Sequence, residues 1–244
     1  MGAAIVRRIA ELDDCRVLAG VDVCADKLPA AEYPNYASLD ELTETPDVII
    51  DFSHHSAAIP LLEYAKARRI PVVIATTGHD DGETAAIREA ASVIPVLYSR
   101  NMSVGINLLL DLVKRAAAAL GEDFDVEIVE QHHNKKLDAP SGTALMLADA
   151  LAEVRDESEY VYDRHGVRRE RGKAEIGIHS VRGGTIVGEH EVIFAGPDEV
   201  IRISHSAYSR DVFANGAVRA ALFAADAAPG LYSMTEMLAA EGED

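Results

Sequence analysis

The segment Glu130-Gln131-His132-His133-Asn134-Lys135-Lys136-Leu137-Asp138-Ala139-Pro140-Ser141-Gly142-Thr143 gathers two imidazoles, two ammonium groups and a helix-start signature in one short run. An imidazole exchanges a proton near neutral pH. Neighbouring side chains on a strand face opposite ways, so His132 and His133 can serve different roles. Lys136 adds a fixed positive charge. Ser141, Gly142 and Thr143 read as the first turn of a helix, whose free backbone N–H groups favour a carboxylate. Gly142 lets a ligand come close to the backbone. Together these residues suit a small dianionic substrate that receives a proton. Each also has an ordinary reading. Adjacent histidines are often solvated or capping residues, and Asp138 or Ser141 can be simply an N-cap. A metal site lacks a third ligand at a suitable spacing.

The elements that must position this segment follow from periodicity. Apolar Ile5, Ile9 and Leu12 fall at helical spacing within residues 3–12. Residues 16–22 read as a short buried strand ending in an acid, and 47–53, 70–78 and 93–99 as three more. Helices are expected near 57–69 and 81–91, with a short one after Ser38. Strands alternating with helices predict a parallel sheet with helices on both faces. Beyond Asn101 the pattern changes to a helix over 106–120, a strand over 125–133 and a helix from about Ser141. A charged stretch over 162–173 reads as an exposed loop. Three strand-like runs follow, the first two joined by Gly183-Gly184, which suits a tight hairpin turn. The predicted architecture is α/β: a Rossmann-type parallel sheet plus a second α+β domain with a mixed or antiparallel sheet. Residues 1–102 and 213–244 would form the first domain, the helix near 212–227 packing back on it, and 103–212 the second.

In a Rossmann domain the last glycine of the phosphate loop stands about 20 residues before an acid that binds the adenosine ribose. Gly2 and Asp22 have that separation. On this reading the chain starts at the last glycine of the fingerprint, the central strand is missing, and Met1 is an internal methionine of a longer protein. The alternative is that Gly2 is merely a second residue and Asp22 an ordinary strand-end acid.

Forty-one acids against 23 bases give a net charge of −18, which argues against a nucleic-acid partner. The lysines are Lys27, Lys66, Lys114, Lys135, Lys136 and Lys173. An acid-rich, lysine-poor surface suggests a salt-loving source, for which stability should rise steeply with molar salt. No apolar run reaches the ~20 residues of a membrane span, and the start is not a secretory signal, so a cytoplasmic protein is expected. Cys15 and Cys24 form no recognisable disulfide or zinc pattern and read as inert thiols.

The run 130–143 resembles the signature of the dihydrodipicolinate reductase family. The likeness covers nearly the whole chain. Ala75-Thr76-Thr77-Gly78 is similar to a threonine loop of that family, Ser99-Arg100-Asn101-Met102-Ser103-Val104-Gly105 to its cofactor-contacting segment, and Asp51-Phe52-Ser53 to a strand-end turn. Arg182-Gly183-Gly184 and Gly188-Glu189-His190 resemble its later hairpin.

The resemblance implies His132 as proton donor or acceptor and Lys136 as a second proton donor. It implies that His133, Lys136, Gly142 and Thr143 hold the substrate carboxylates. NADH or NADPH would contact Gly2, Asp22, Ala75, Thr76, Thr77, Ser99, Arg100, Asn101 and Met102. It also implies a homotetramer joined through the sheet of the second domain. Val23 stands where some relatives carry an arginine for the NADP phosphate, which together with Asp22 favours NADH. His54 is either near the cofactor or solvated. The competing readings are another two-domain nicotinamide enzyme and a non-catalytic paralogue without a complete cofactor site.

Overall fold

The computed structural model describes residues 1–242; the last two residues of the expected first domain lie outside the described residues. The chain runs through α1 (Gly2–Ile9), β1 (Gly20–Val21), β2 (Asn35–Tyr36), β3 (Ile49–Asp51), α2 (Ala58–Arg68), β4 (Val72–Ile74), α3 (Asp81–Ala91) and β5 (Pro95–Tyr98). Next come α4 (Val104–Leu120), β6 (Asp125–His132), α5 (Gly142–Ala152), β7 (Glu159–Val161), β8 (Glu175–Arg182), β9 (Gly188–Gly196) and β10 (Glu199–Ala207). It closes with α6 (Asp211–Asp226), β11 (Gly230–Tyr232) and α7 (Met234–Glu241). Two compact units result: Met1–Val104 with the chain from Asp211 onward, and Gly105–Arg210.

In the first unit β11, β5, β4 and β3 form a parallel sheet in that order, and β1 and β2 pair separately. Strand alternation decides what covers it. Val72 and Ile74 face one way, into a cluster with Leu61, Leu62 and Ile87 of α2 and α3. Val73 faces the other way, with Leu97, toward Ala217, Ala220 and Ala224 of α6 and Met234 of α7. Both faces of β4 are therefore dry, as the interior of a parallel sheet requires. Asp80 caps α3 with a reciprocal capping box to Glu83, and the helix runs over the 81–91 expected. Helix α6 lies against the Met102 backbone at Gly216, where an added Cβ would stand 1.7 Å from the Met102 carbonyl oxygen.

The second unit is a mixed five-stranded sheet, ordered β10-β9-β6-β8-β7. Strands β7 and β8 run parallel to β6; β9 is antiparallel to β6 and β10. Helices α4 and α5 cover one face through Ile106, Leu109, Val113, Leu147 and Leu151. That face is built in rows across the strands. Ile176, Val126 and Phe194 make one row; Ile178, Ile128 and Val192 make the next. Continuing along the strands, the same face carries Ser180, Glu130 and His190, then Arg182 and His132. The core row turns polar in step on three strands, and α5 begins there.

Two expectations need correction. The strand expected over 16–22 is reduced to Gly20–Val21, neither residue buried, and it pairs with β2 in a separate two-stranded sheet. The turn at Gly183-Gly184 does not close a hairpin, because β6 lies between β8 and β9. It arches over the end of β6, tied there by Gly183 N–H to the His132 carbonyl (2.9 Å) and by Asn134 N–H to the Gly184 carbonyl (3.2 Å). The hairpin is instead β9–β10, turning through Asp198 at φ 62°. The charged stretch 162–173 is anchored: Arg164, Arg169 and Arg171 reach Glu127 and the buried Glu175.

Candidate active site

The alternation of β6 puts Glu130 and His132 on the covered face, and both are buried. His132 Nδ1 lies 2.6 Å from Glu130 Oε2. A carboxylate can only accept, so Nδ1 carries the hydrogen and Nε2 is the atom left for proton transfer in the neutral ring. Arg182 Nη1 and Nη2 donate to the two Glu130 oxygens at 2.7 and 2.6 Å. Burial alone would raise the Glu130 pKa, but hydrogen bonds from Arg182, Ser180 and His132 hold it down at about 2. Burial pushes His132 below its ordinary value, with Glu130 opposing the shift and Lys136 and Arg182 adding to it. On the next strand His190 sits edge-on to His132, ring centroids 5.2 Å apart. Burial, assisted by His132, pushes His190 down to about 3, so it is neutral.

Ser141 is the N-cap of α5: its Oγ accepts from the Ala144 N–H at 3.2 Å and lies 3.1 Å from His190 Nε2. The Ser141 N–H, expected to face a ligand, is taken up by Glu130 Oε1 at 3.1 Å. Gly142 is exposed, and a Cβ there would meet nothing within 4 Å, so the start of α5 is open at this residue. Thr143 is half-buried. Lys136 Nζ pairs with Asp138 at 2.9 Å, and His133, also half-buried, follows directly on the end of β6. Thus His132, Lys136, Ser141, Gly142 and Thr143 are gathered at one end of the second unit's sheet. This site can hold a small anion beside a proton carrier.

The expected cofactor residues stand on the first unit. Ala75, Thr76 and Thr77 follow the carboxyl end of β4, and Ser99, Arg100, Asn101 and Met102 that of β5, so they share one edge of the parallel sheet. That edge is where open α/β sheets take nucleotides. Thr76 Oγ1 donates to Asp51 Oδ2 at 2.9 Å, bracing two neighbouring strand ends. Ser99 Oγ donates to the Asn101 carbonyl (2.8 Å), and Asn101 Oδ1 accepts from the Ser103 N–H (2.9 Å). Met102 is buried in the core. Gly2 opens α1 with space around it. Asp22, exposed past β1, accepts from the Cys24 N–H at 2.8 Å. An exposed acid after one strand and backbone loops after two others fit a dinucleotide. His54 is exposed, and its ring lies 4.1 Å from that of His55, which holds Glu83 at 2.9 Å. Among the described residues no group of His, Cys, Asp and Glu is placed to hold a metal ion, and no helix is long and apolar enough to cross a membrane.

The two units make this a two-domain α/β protein, with a Rossmann-like parallel sheet in one and a mixed sheet in the other. Residues 1–102 match the family model for the dihydrodipicolinate reductase N-terminus and 105–238 that for its C-terminus, so the chain belongs to the dihydrodipicolinate reductase family and is an NAD(P)H-dependent oxidoreductase. The 4-hydroxy-tetrahydrodipicolinate reductase of Caldanaerobacter subterraneus subsp. tengcongensis is 53% identical over 98% of this chain and 94% of its own length. That of Clostridium novyi is 41% identical over the same shares. A dipicolinate-bound dihydrodipicolinate reductase from Paenisporosarcina sp. TG-14 superposes with a TM-score of 0.80, at 27% identity over 95% of this chain and 92% of its own. The likeness to a probable dehydrogenase from Thermotoga maritima (TM-score 0.59, 15% identity, 98% and 90% covered) is one of fold.

Sequence reasoning gave Glu130, Arg182 and His190 no role. All three were quoted within similar segments. The signal that could have found them is period two: Glu130 lies two residues before His132, on the same face of the strand.

Proposed function

We propose that this chain reduces dihydrodipicolinate, formed from 4-hydroxytetrahydrodipicolinate with loss of water, to tetrahydrodipicolinate in the diaminopimelate route of lysine biosynthesis. The observation that carries the reading is the buried His132, held by Glu130 with Nε2 unbonded to it, beside Lys136 and the open start of α5. When bound, the nicotinamide supplies a hydride to ring carbon 4. His132 manages the proton at Nε2 that completes the reduction at the adjacent carbon, and Lys136 is a second proton donor. The backbone at Gly142 and Thr143, with His133 and Lys136, grips the carboxylates of the substrate. Residues 1–102 and 213–244 serve the cofactor and 103–212 the substrate.

Asp22 and the exposed Val23, with no cation at that position, favour NADH over NADPH. The enzyme acts in the cytoplasm as a homotetramer joined through the second unit's sheet, a reading supported by exposed Val200 and Ile201 on the edge strand β10.

The test is nicotinamide oxidation followed by absorbance, with freshly generated substrate and each nucleotide in turn. His132→Ala should lower kcat by about 10²-fold or more, the scale of general acid–base catalysis, with little change in KM. Lys136→Ala should lower kcat and raise KM together. An undiminished kcat in His132→Ala would end the proton-transfer assignment.

A further inference from the structure

Glu130 is a fully buried carboxylate in the middle of the polar rows. A buried charge persists only where partners surround it, and an apolar side chain would fill the same space more simply. Its partners are on three elements. Oε2 faces His132 Nδ1 and Arg182 Nη1; Oε1 faces Arg182 Nη2 and the Ser141 N–H at the start of α5. We propose that Glu130 is a positioning residue for the reduction, one carboxylate that fixes the hydrogen of His132 on Nδ1 and at the same time anchors the helix start beside which the substrate binds. The proposal rests on the reading of His132 as the proton carrier.

Three features support it. A carboxylate at Nδ1 holds one ring hydrogen there, so the proton that the imidazole gains and then gives to the substrate is the one on Nε2. The Arg182 clamp makes Glu130 a very weak base, so it stays an acceptor while the proton moves at Nε2. Charge balance points the same way. The groups around the ring are Arg182 from β8, His190 and Gly188 from β9, and Lys136 and Ser141 from the loop and helix start that follow β6. Arg182 and Lys136 both oppose a positive imidazole, His190 is neutral, and Glu130 is the carboxylate bonded to it. Without its charge the protonated ring would form only at lower pH.

The test is Glu130→Gln, assayed for kcat, KM and the pH profile of kcat, alone and combined with His132→Ala. The amide side chain keeps the shape but turns a donor toward His132 or Arg182. The expected result is a loss in kcat of about 10- to 100-fold, within the range available to acid–base catalysis. The limb reporting His132 protonation should move to lower pH, and no further loss should appear when His132 is already alanine. If Glu130→Gln does not fold, Glu130→Gln with Arg182→Met removes both charges, avoids an uncompensated one, and should shift the same limb the same way. An unshifted limb, or losses in kcat that multiply in the double variant, overturns the proposal. A His132→Ala enzyme of undiminished kcat overturns instead the function on which it rests.

Discussion

Adding one methyl group at Gly188 probes the site from the side opposite Glu130. An alanine Cβ there would stand 3.1 Å from His132 Nε2 and 3.4 Å from Cδ2, the first tighter than ordinary contact. The ring must give by about 0.3–0.5 Å to restore normal van der Waals separation. It cannot slide straight back, because Nδ1 is already 2.6 Å from a carboxylate that Arg182 holds at both oxygens. It must turn or tilt. Misplacing a catalytic group by 1 Å can cost roughly 10²-fold, so this shift should lower kcat by about 4- to 10-fold, equivalent to about 0.8–1.4 kcal/mol. Stability should move little. The strain is offset by the backbone entropy that alanine saves in a strand, about 0.5–1 kcal/mol. Steady-state absorbance kinetics and a thermal melt on the same preparation separate the two effects. A Gly188→Ala enzyme with kcat within about twofold of the parent would refute the idea that Gly188 and Glu130 fix the ring between them.

Two further expectations concern stability. Gly216→Ala would set a Cβ 1.7 Å from the Met102 carbonyl oxygen, backbone that cannot yield locally, so α6 must shift at a cost of about 3 kcal/mol. The melting temperature should fall by roughly 6–12 °C, and an unchanged Tm would contradict the packing described. Acid should destabilise the fold in two stages. His190 has its folded pKa lowered from 6.5 to about 3, so its contribution is complete above 6.5 and is lost as pH falls through that window. Glu130, lowered from 4.5 to about 2, adds a second loss below 4.5. Urea midpoints measured at about pH 7.5, 5.5 and 4 should fall in that order, and a flat series would count against the buried charge network.

Much of the fold is legible in the chain because its signals are local. Ser141 caps its helix through the backbone group next to it, so α5 begins where the sequence indicates, and α3 spans the 81–91 that its periodicity gives. The apolar run within 70–78, which forms β4 at Val72–Ile74, needs no partner to be read as a buried strand. The failures come from non-local pairing. Gly183-Gly184 has turn chemistry, but nothing near it reveals that β6 lies between β8 and β9. Strands β7 and β11, three residues each, are too short to show a period and exist through their neighbours β8 and β5. The candidate site divides the same way. His132, Lys136 and the α5 start sit in one continuous segment, whereas the couplings of Glu130 to Arg182 and of Ser141 to His190 require three strands in register.

The first unit is stitched from two stretches of chain that flank the second. Strand β11 supplies a partner for β5, and α6 supplies the lid over Val73 and Leu97. A nascent polypeptide leaving the ribosome therefore has the whole of Gly105–Arg210 before it has the residues that finish its own beginning. The middle can mature first, while the early strands wait with one apolar flank bare and one edge unsatisfied. An open strand edge and a bare apolar flank are the features through which a partly made sheet mispairs.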